Sequence, residues 1–140
     1  MSDALIRKAF ETRVRSWGLA RTPPLPVAFE NAPFSKPANG RYARAIVLPG
    51  NTTSRDLEGK HREYVGVFQV TLVIRQNVGT ADATSLAKSL DEAFPTGPPL
   101  QQDGLNVWIT RPMGAAPAIQ EPDSYEVPVS ATYKAELFLA

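Results

Sequence analysis

Apolar residues recur along this chain with two different periods, and the period changes mark its elements. In residues 2–17, Leu5, Ile6, Ala9, Phe10, Val14 and Trp17 fall at spacings of three and four, which predicts an amphipathic helix. Ser2 can cap it, Asp3 sits in its first turn, Glu11 and Arg15 form an i,i+4 pair, and Gly18 is a plausible stop. A second such stripe (Ala83, Leu86, Ala87, Leu90, Ala93 and Phe94) predicts a helix over 81–94, capped by Thr80 and ended by the PTGPP run at 95–99. Elsewhere the period is two. Residues 64–76 carry the strongest strand signal. Tyr64, Gly66, Phe68, Val70, Leu72 and Ile74 share one face, and Val65, Val67, Gln69, Thr71, Val73 and Arg75 share the other. The second face has enough valine to be partly covered, by a helix or by another subunit. Alternation over 125–138 predicts a long final strand, in which Pro128 argues for an edge position or a bulge. Shorter strands are predicted at 41–48, stopping at Pro49–Gly50, and at 105–111. The run from Leu25 to Glu30 suggests a proline-tolerant edge strand.

The order is α-β-β-β-α-β-β. It implies an α+β fold: a mixed or mainly antiparallel four- to five-stranded sheet with two helices packed on one face. A chain of 140 residues is about one domain's worth, so a single domain over 1–140 is expected. Residues 50–63 hold almost nothing apolar except Leu57 and read as a mobile loop or flexible hairpin tip.

Charge and composition narrow the function. Fifteen basic residues against fourteen acidic give no electrostatic reason to expect nucleic acid or anionic lipid. No apolar run approaches the roughly 20 residues of a membrane span. The charged N-terminus lacks a secretory core, so a cytoplasmic protein is expected. Cysteine is absent, which excludes thiol nucleophiles and thiolate metal sites. The single histidine, His61, lies in the polar GKHRE run and reads as solvent-exposed rather than as a base. No serine has a nucleophile-elbow context, Asp56 and Glu58 do not make a calcium loop, and LPGNTTSRDLEGK has the wrong spacing for a phosphate loop. Phe68, Trp108 and Tyr133 are not interleaved with basic residues and are expected in the core rather than stacking on bases. No catalytic constellation, cofactor site or metal site is expected, which shifts weight to a structural role.

Several segments in order carry a resemblance: the helix ending in Trp17, PPLPVAFENAPFSKP at 23–37, YARAIVLPGNTTSRDLEG at 42–59, EYVGVFQVTLVIRQNVGTADA at 63–83, and EVPVSATYKAEL at 126–137. Together they resemble the small tail-terminator and tail-completion (minor tail) proteins of tailed bacteriophages, over about residues 4–138. The resemblance implies an α+β subunit without an active site. It would form a ring, commonly of six copies, on the end of a finished tail tube, stop further polymerisation, and present a surface to the head-side connector. The implied partners are then other copies, the major tail tube protein and head–tail connector proteins, with no specific nucleic acid and no membrane. The implied location is the host cytoplasm during assembly and then the virion tail. Arg55, Asp56, Glu58, Lys60, Arg62 and Glu63 mix both signs in the 50–63 loop and are the candidate assembly residues. Removing roughly 52–62 is expected to spare the fold and weaken assembly. Two alternatives stay open: a head-completion or neck protein of a tailed phage, and an unrelated small binding module.

Overall fold

The computed structural model describes residues 2–54 and 60–138. Its elements run α1 (Ser2–Leu19), β1 (Val27–Phe29), β2 (Tyr42–Thr53), β3 (His61–Arg75), α2 (Ala81–Ala93), β4 (Leu100–Gln102), β5 (Leu105–Ala115), β6 (Ile119–Gln120) and β7 (Ser124–Phe138). The strands form one seven-stranded mixed sheet of order β1-β2-β3-β7-β5-β4, with β6 also on β7. β1 runs parallel to β2, and the remaining pairs are antiparallel. The α+β class therefore holds, but the sheet has more strands than four or five and a different order.

Both helices lie on the face formed by Phe68, Val70 and Leu72. The stripe read in α1 is the stripe that is buried: Ile6, Ala9, Phe10, Val14 and Trp17 join Leu86, Leu90 and Phe94 of the α2 side in one core. At its centre Phe68 is stacked between Phe10 and Tyr133, with ring centroids 4.3 and 4.4 Å away. Phe94 tilts against Phe10 at 5.6 Å. Burial pushes the Tyr133 hydroxyl up to about 12, so the ring stays neutral wherever the fold persists. Trp17 Nε1 donates to Ser89 Oγ at 2.8 Å and ties the two helices together.

Several sequence expectations change. The helix passes through Gly18 to Leu19, so Gly18 is not its stop. A Cβ there would lie 2.6 Å from the Leu25 carbonyl oxygen, and the Leu25 amide donates to the Gly18 carbonyl at 2.9 Å. The glycine serves a close crossing of backbones. Thr80 precedes α2 without a side-chain cap; its carbonyl instead accepts from the Thr84 amide and hydroxyl. β4 was not read from the sequence. It pairs with β5 across the two-residue turn Asp103–Gly104, whose φ values of 49° and 87° suit a tight hairpin. Gln102 and then Lys8 hold the Asp103 carboxyl below its usual range and tether that turn to α1.

Pro128 lies in β7 between β3 and β5, not in an edge strand. Its carbonyl accepts from the Ala116 amide at 2.8 Å, so the side of the chain lacking N–H faces the irregular end of β5. The β5–β7 register shifts between Arg111 and Gly114, and the ladder to β3 through Thr71 is kept.

β1 is an edge strand, and it covers β2 only from Ala43 to Ala45. The next outward amide, Val47, donates to Glu30 Oε1 at 2.9 Å, and two residues on, Pro49 has no amide hydrogen to offer. Glu30 also pairs with Arg7 of α1, and Asn31 takes φ 50° to turn the chain away. Within the PPLPVAFENAPFSKP run, Phe29 ends β1 under the Arg15 guanidinium, Glu30 closes the edge, and Asn31 makes the turn.

Two outcomes are expected. Gly66 faces Tyr133 across the β3–β7 ladder, and a Cβ there would sit 2.6 Å from both the Tyr133 ring and the Leu48 carbonyl oxygen. Gly66→Ala should therefore cost about 1–3 kcal/mol as an overpacking change, read as a lower urea midpoint at unchanged slope. The Val47 amide, and then Arg7, hold the Glu30 carboxyl below its ordinary value of 4.5. A depressed folded value contributes stability that is complete above the ordinary carboxylate range and is lost as pH falls through the folded value. The stability gap between the native chain and Glu30→Gln should thus be largest near neutral pH and close on acidification; a gap constant from pH 7 to 3 would contradict this.

Candidate assembly surface

The face of the sheet opposite the helices is covered by neither of them. The second face of β3 is half open along Val65, Val67 and Gln69, as its mixed composition suggested, and closed at Thr71 and Val73. Arg44 pairs with Glu126 over that closed end, and Phe34 packs on Tyr42 with centroids 5.2 Å apart. The middle of the face is apolar: Ile46, Val65 and Val67 are half-buried, and Leu48 is 46% exposed. Trp108 also lies here, because it pairs with Lys134 and so shares the face of Val65. Of the three aromatics expected in the core, Phe68 and Tyr133 are there and Trp108 is half-exposed on the open face.

The polar stretch at 50–63 is largely a β-ribbon at its ends. β2 continues past Pro49 through an irregularity to Thr53, and β3 begins at His61, with Thr52 opposite Tyr64 and Thr53 opposite Glu63. Residues 51–53 and 61–63 are therefore strand rather than loop. Of the candidate residues, Arg55, Asp56 and Glu58 lie outside the described residues, so the loop reading there stays open. Lys60 is exposed just before β3, and Arg62 is half-buried. Glu63 is 8% exposed, and His61, expected in solvent, is 7% exposed. Both stand on the face opposite the helices, since Glu63 pairs with Glu136 across β7.

Two carboxylates placed directly opposite each other repel. Lys134 relieves this: its Nζ is 3.7 Å from Glu63 Oε2 and 3.5 Å from Glu136 Oε1. His61 Nε2 stands 3.6 Å from Glu136 Oε1. Lys134 and Glu136 were not singled out from the sequence. They lie at alternate positions of the final strand, but their meeting with Glu63 depends on the β3–β7 register, which periodicity does not give. The cluster gathers both signs of charge at the base of the ribbon. Among the described residues no group of three or more His, Asp or Glu side chains is placed to hold a metal ion. No described helix is long and apolar enough to cross a membrane.

Lys134→Met should destabilise the chain, and by less when Glu136→Gln is already present. The coupling expected for a partly exposed pair is about 0.2–1 kcal/mol from a double-mutant cycle in urea. Strict additivity would show that Lys134 does not balance these carboxylates.

No curated protein matches the chain. A solved structure with 41% sequence identity superposes with a TM-score of 0.84, covering 100% of this chain and 99% of that one. The family described as phage tail terminator protein matches over residues 5–133, a span that holds most of α1, all of α2 and the aromatic stack. The chain therefore belongs to the phage tail terminator family and has a structural role in phage tails.

Proposed function

We propose that copies of this chain close into a ring on the last ring of a completed tail tube, end its polymerisation, and present the surface to which the head-side connector joins. The observation that carries this reading is the family match across residues 5–133. The partners are then further copies, six in all by the resemblance, the major tail tube protein, and head–tail connector proteins. Assembly takes place in the host cytoplasm, and the finished ring belongs to the virion tail. The role is geometric and needs no cofactor or chemical step.

The geometry supports contact through faces and loops rather than by strand addition. The outward side of β2 is closed by β1, by the Glu30 carboxylate and by Pro49. On the other side, β4 covers β5 only to Val107, and beyond it come Pro112 and two shifts of register. Edges interrupted in this way resist pairing with another strand. The open face around Leu48 and the charged ribbon remain. We assign the mixed charges of Arg55, Asp56, Glu58, Lys60, Arg62 and Glu63 to setting register between neighbours, because opposite charges steer a contact and like charges exclude its misaligned forms.

The described ribbon bears on the deletion that tests this. Removing 52–62 would take out paired strand together with buried His61, so the appropriate change replaces 54–60 with Asn-Gly, which with His61 and Arg62 leaves a four-residue connection between the paired Thr53 and Glu63. That variant should melt within a few degrees of the native chain. Purified native chain added to polymerising tail tubes should arrest their growth and appear as caps by negative-stain microscopy, and the shortened variant should arrest growth at least about tenfold less effectively. Equal arrest by both would remove the ribbon from the contact, and growth unaffected by the native chain would contradict capping.

A further inference from the structure

A cleft of about 250 Å³ opens between α2 and the β5–β7 side of the sheet. Ala83 and Ala87 form its helical wall, Ala115, Ala116 and Ala118 form the opposite wall, and Tyr125 contributes to its lining. The walls stay apart because alanine side chains are too short to meet, while the Ala116 amide is fixed to the Pro128 carbonyl at 2.8 Å. An apolar cavity of about 150 Å³ takes a benzene ring, so this cleft has room for a phenylalanine side chain and part of its neighbours. The turn from β6 into β7, which leads into the lining residue Tyr125, is acidic. Glu121 and Asp123 are exposed and have no side-chain ion pair among the described residues. Arg75 lines a smaller cleft that shares Thr80 and Tyr125 with this one, and Lys88 lies exposed on α2, so the acidic character is local to the turn.

A matching element stands on the other side of the sheet. The connection from β1 to β2 exposes the run Ala32–Lys36, with Phe34 at 36% exposure beside Tyr42. Pro33 and Pro37 bracket it and restrict its backbone, so little conformational freedom is left to lose on docking. Lys36, two positions after Phe34, is exposed and has no acidic partner among the described residues. β1 and β5 are separated by four strand spacings, roughly 19 Å at about 4.8 Å each, so loop and cleft are different patches on opposite sides of one subunit.

We propose that the Pro33–Pro37 loop of one copy docks in the α2/β5–β7 cleft of the next, with Phe34 between the alanine walls and Lys36 against Glu121 and Asp123. Apolar fit and charge complementarity point to the same occupant, a second copy of this chain. A contact between two different patches is head-to-tail, and it closes into a ring when its rotation permits. The inference rests on the ring reading above and names one contact that builds it.

The chain has no cysteine, so an introduced pair reports the contact cleanly. Carrying Ser35→Cys and Ala116→Cys together, the full-length protein should form an oxidation-dependent ladder of linked copies, whereas each single variant should give at most a dimer. Lys36→Glu should weaken self-association by about tenfold in sedimentation velocity, and adding Glu121→Lys with Asp123→Lys should restore it. Melting curves of the same variants should overlay the native curve, separating a lost contact from a lost fold. Rings that form undiminished with Lys36→Glu and show no ladder would overturn this contact and leave the ring reading standing. Absence of any self-association, free or on tail tubes, would sink both.

Discussion

Phe68 lies between Phe10 and Tyr133, and the rest of the subunit is arranged around that three-ring stack. Stacked aromatic pairs favour defined distances and angles beyond their area burial. The stack therefore fixes α1 at one height over β3 and β7, the longest pair of strands in the sheet. Gly66 gives Tyr133 the room to lie flat, and Phe94 brings the end of α2 to the same point. With both helices committed to one face, neither of them covers the opposite face.

The ring proposed above would use that asymmetry. The sheet withholds its edges, through Glu30 and Pro49 on one side and Pro112 with irregular pairing on the other. It offers an apolar middle around Leu48 and a charged base where Lys134 holds two facing carboxylates. Glu30 has a double role: one carboxylate both anchors α1 through Arg7 and closes the β2 edge at Val47. A short sequence signature thus marks the place where the helical layer is latched to the sheet.

Both helices, β3 and β7 were legible because each has a continuous period over a dozen residues or more, and burial follows that period. The ribbon was not: Thr52 and Thr53 pair with Tyr64 and Glu63 in a backbone ladder that polar side chains do not advertise. β4 was legible in principle, since Asp103–Gly104 is a strong hairpin signal between two short runs. Pro128 misled because a proline's cost depends on which side its missing amide faces, and that follows from strand order. The buried His61 and the Glu63–Lys134–Glu136 contact depend on register, a property of two distant segments together. The phage tail resemblance, by contrast, could be read directly from residue types and their order.

Under the proposed function this chain determines where a tail tube ends. That role is tested most directly by measuring tail lengths by electron microscopy in lysates of the parent phage with this gene removed. The account requires overlong tubes without heads. Tails of normal length lying apart from filled heads would contradict it and move the subunit to the neck of the particle.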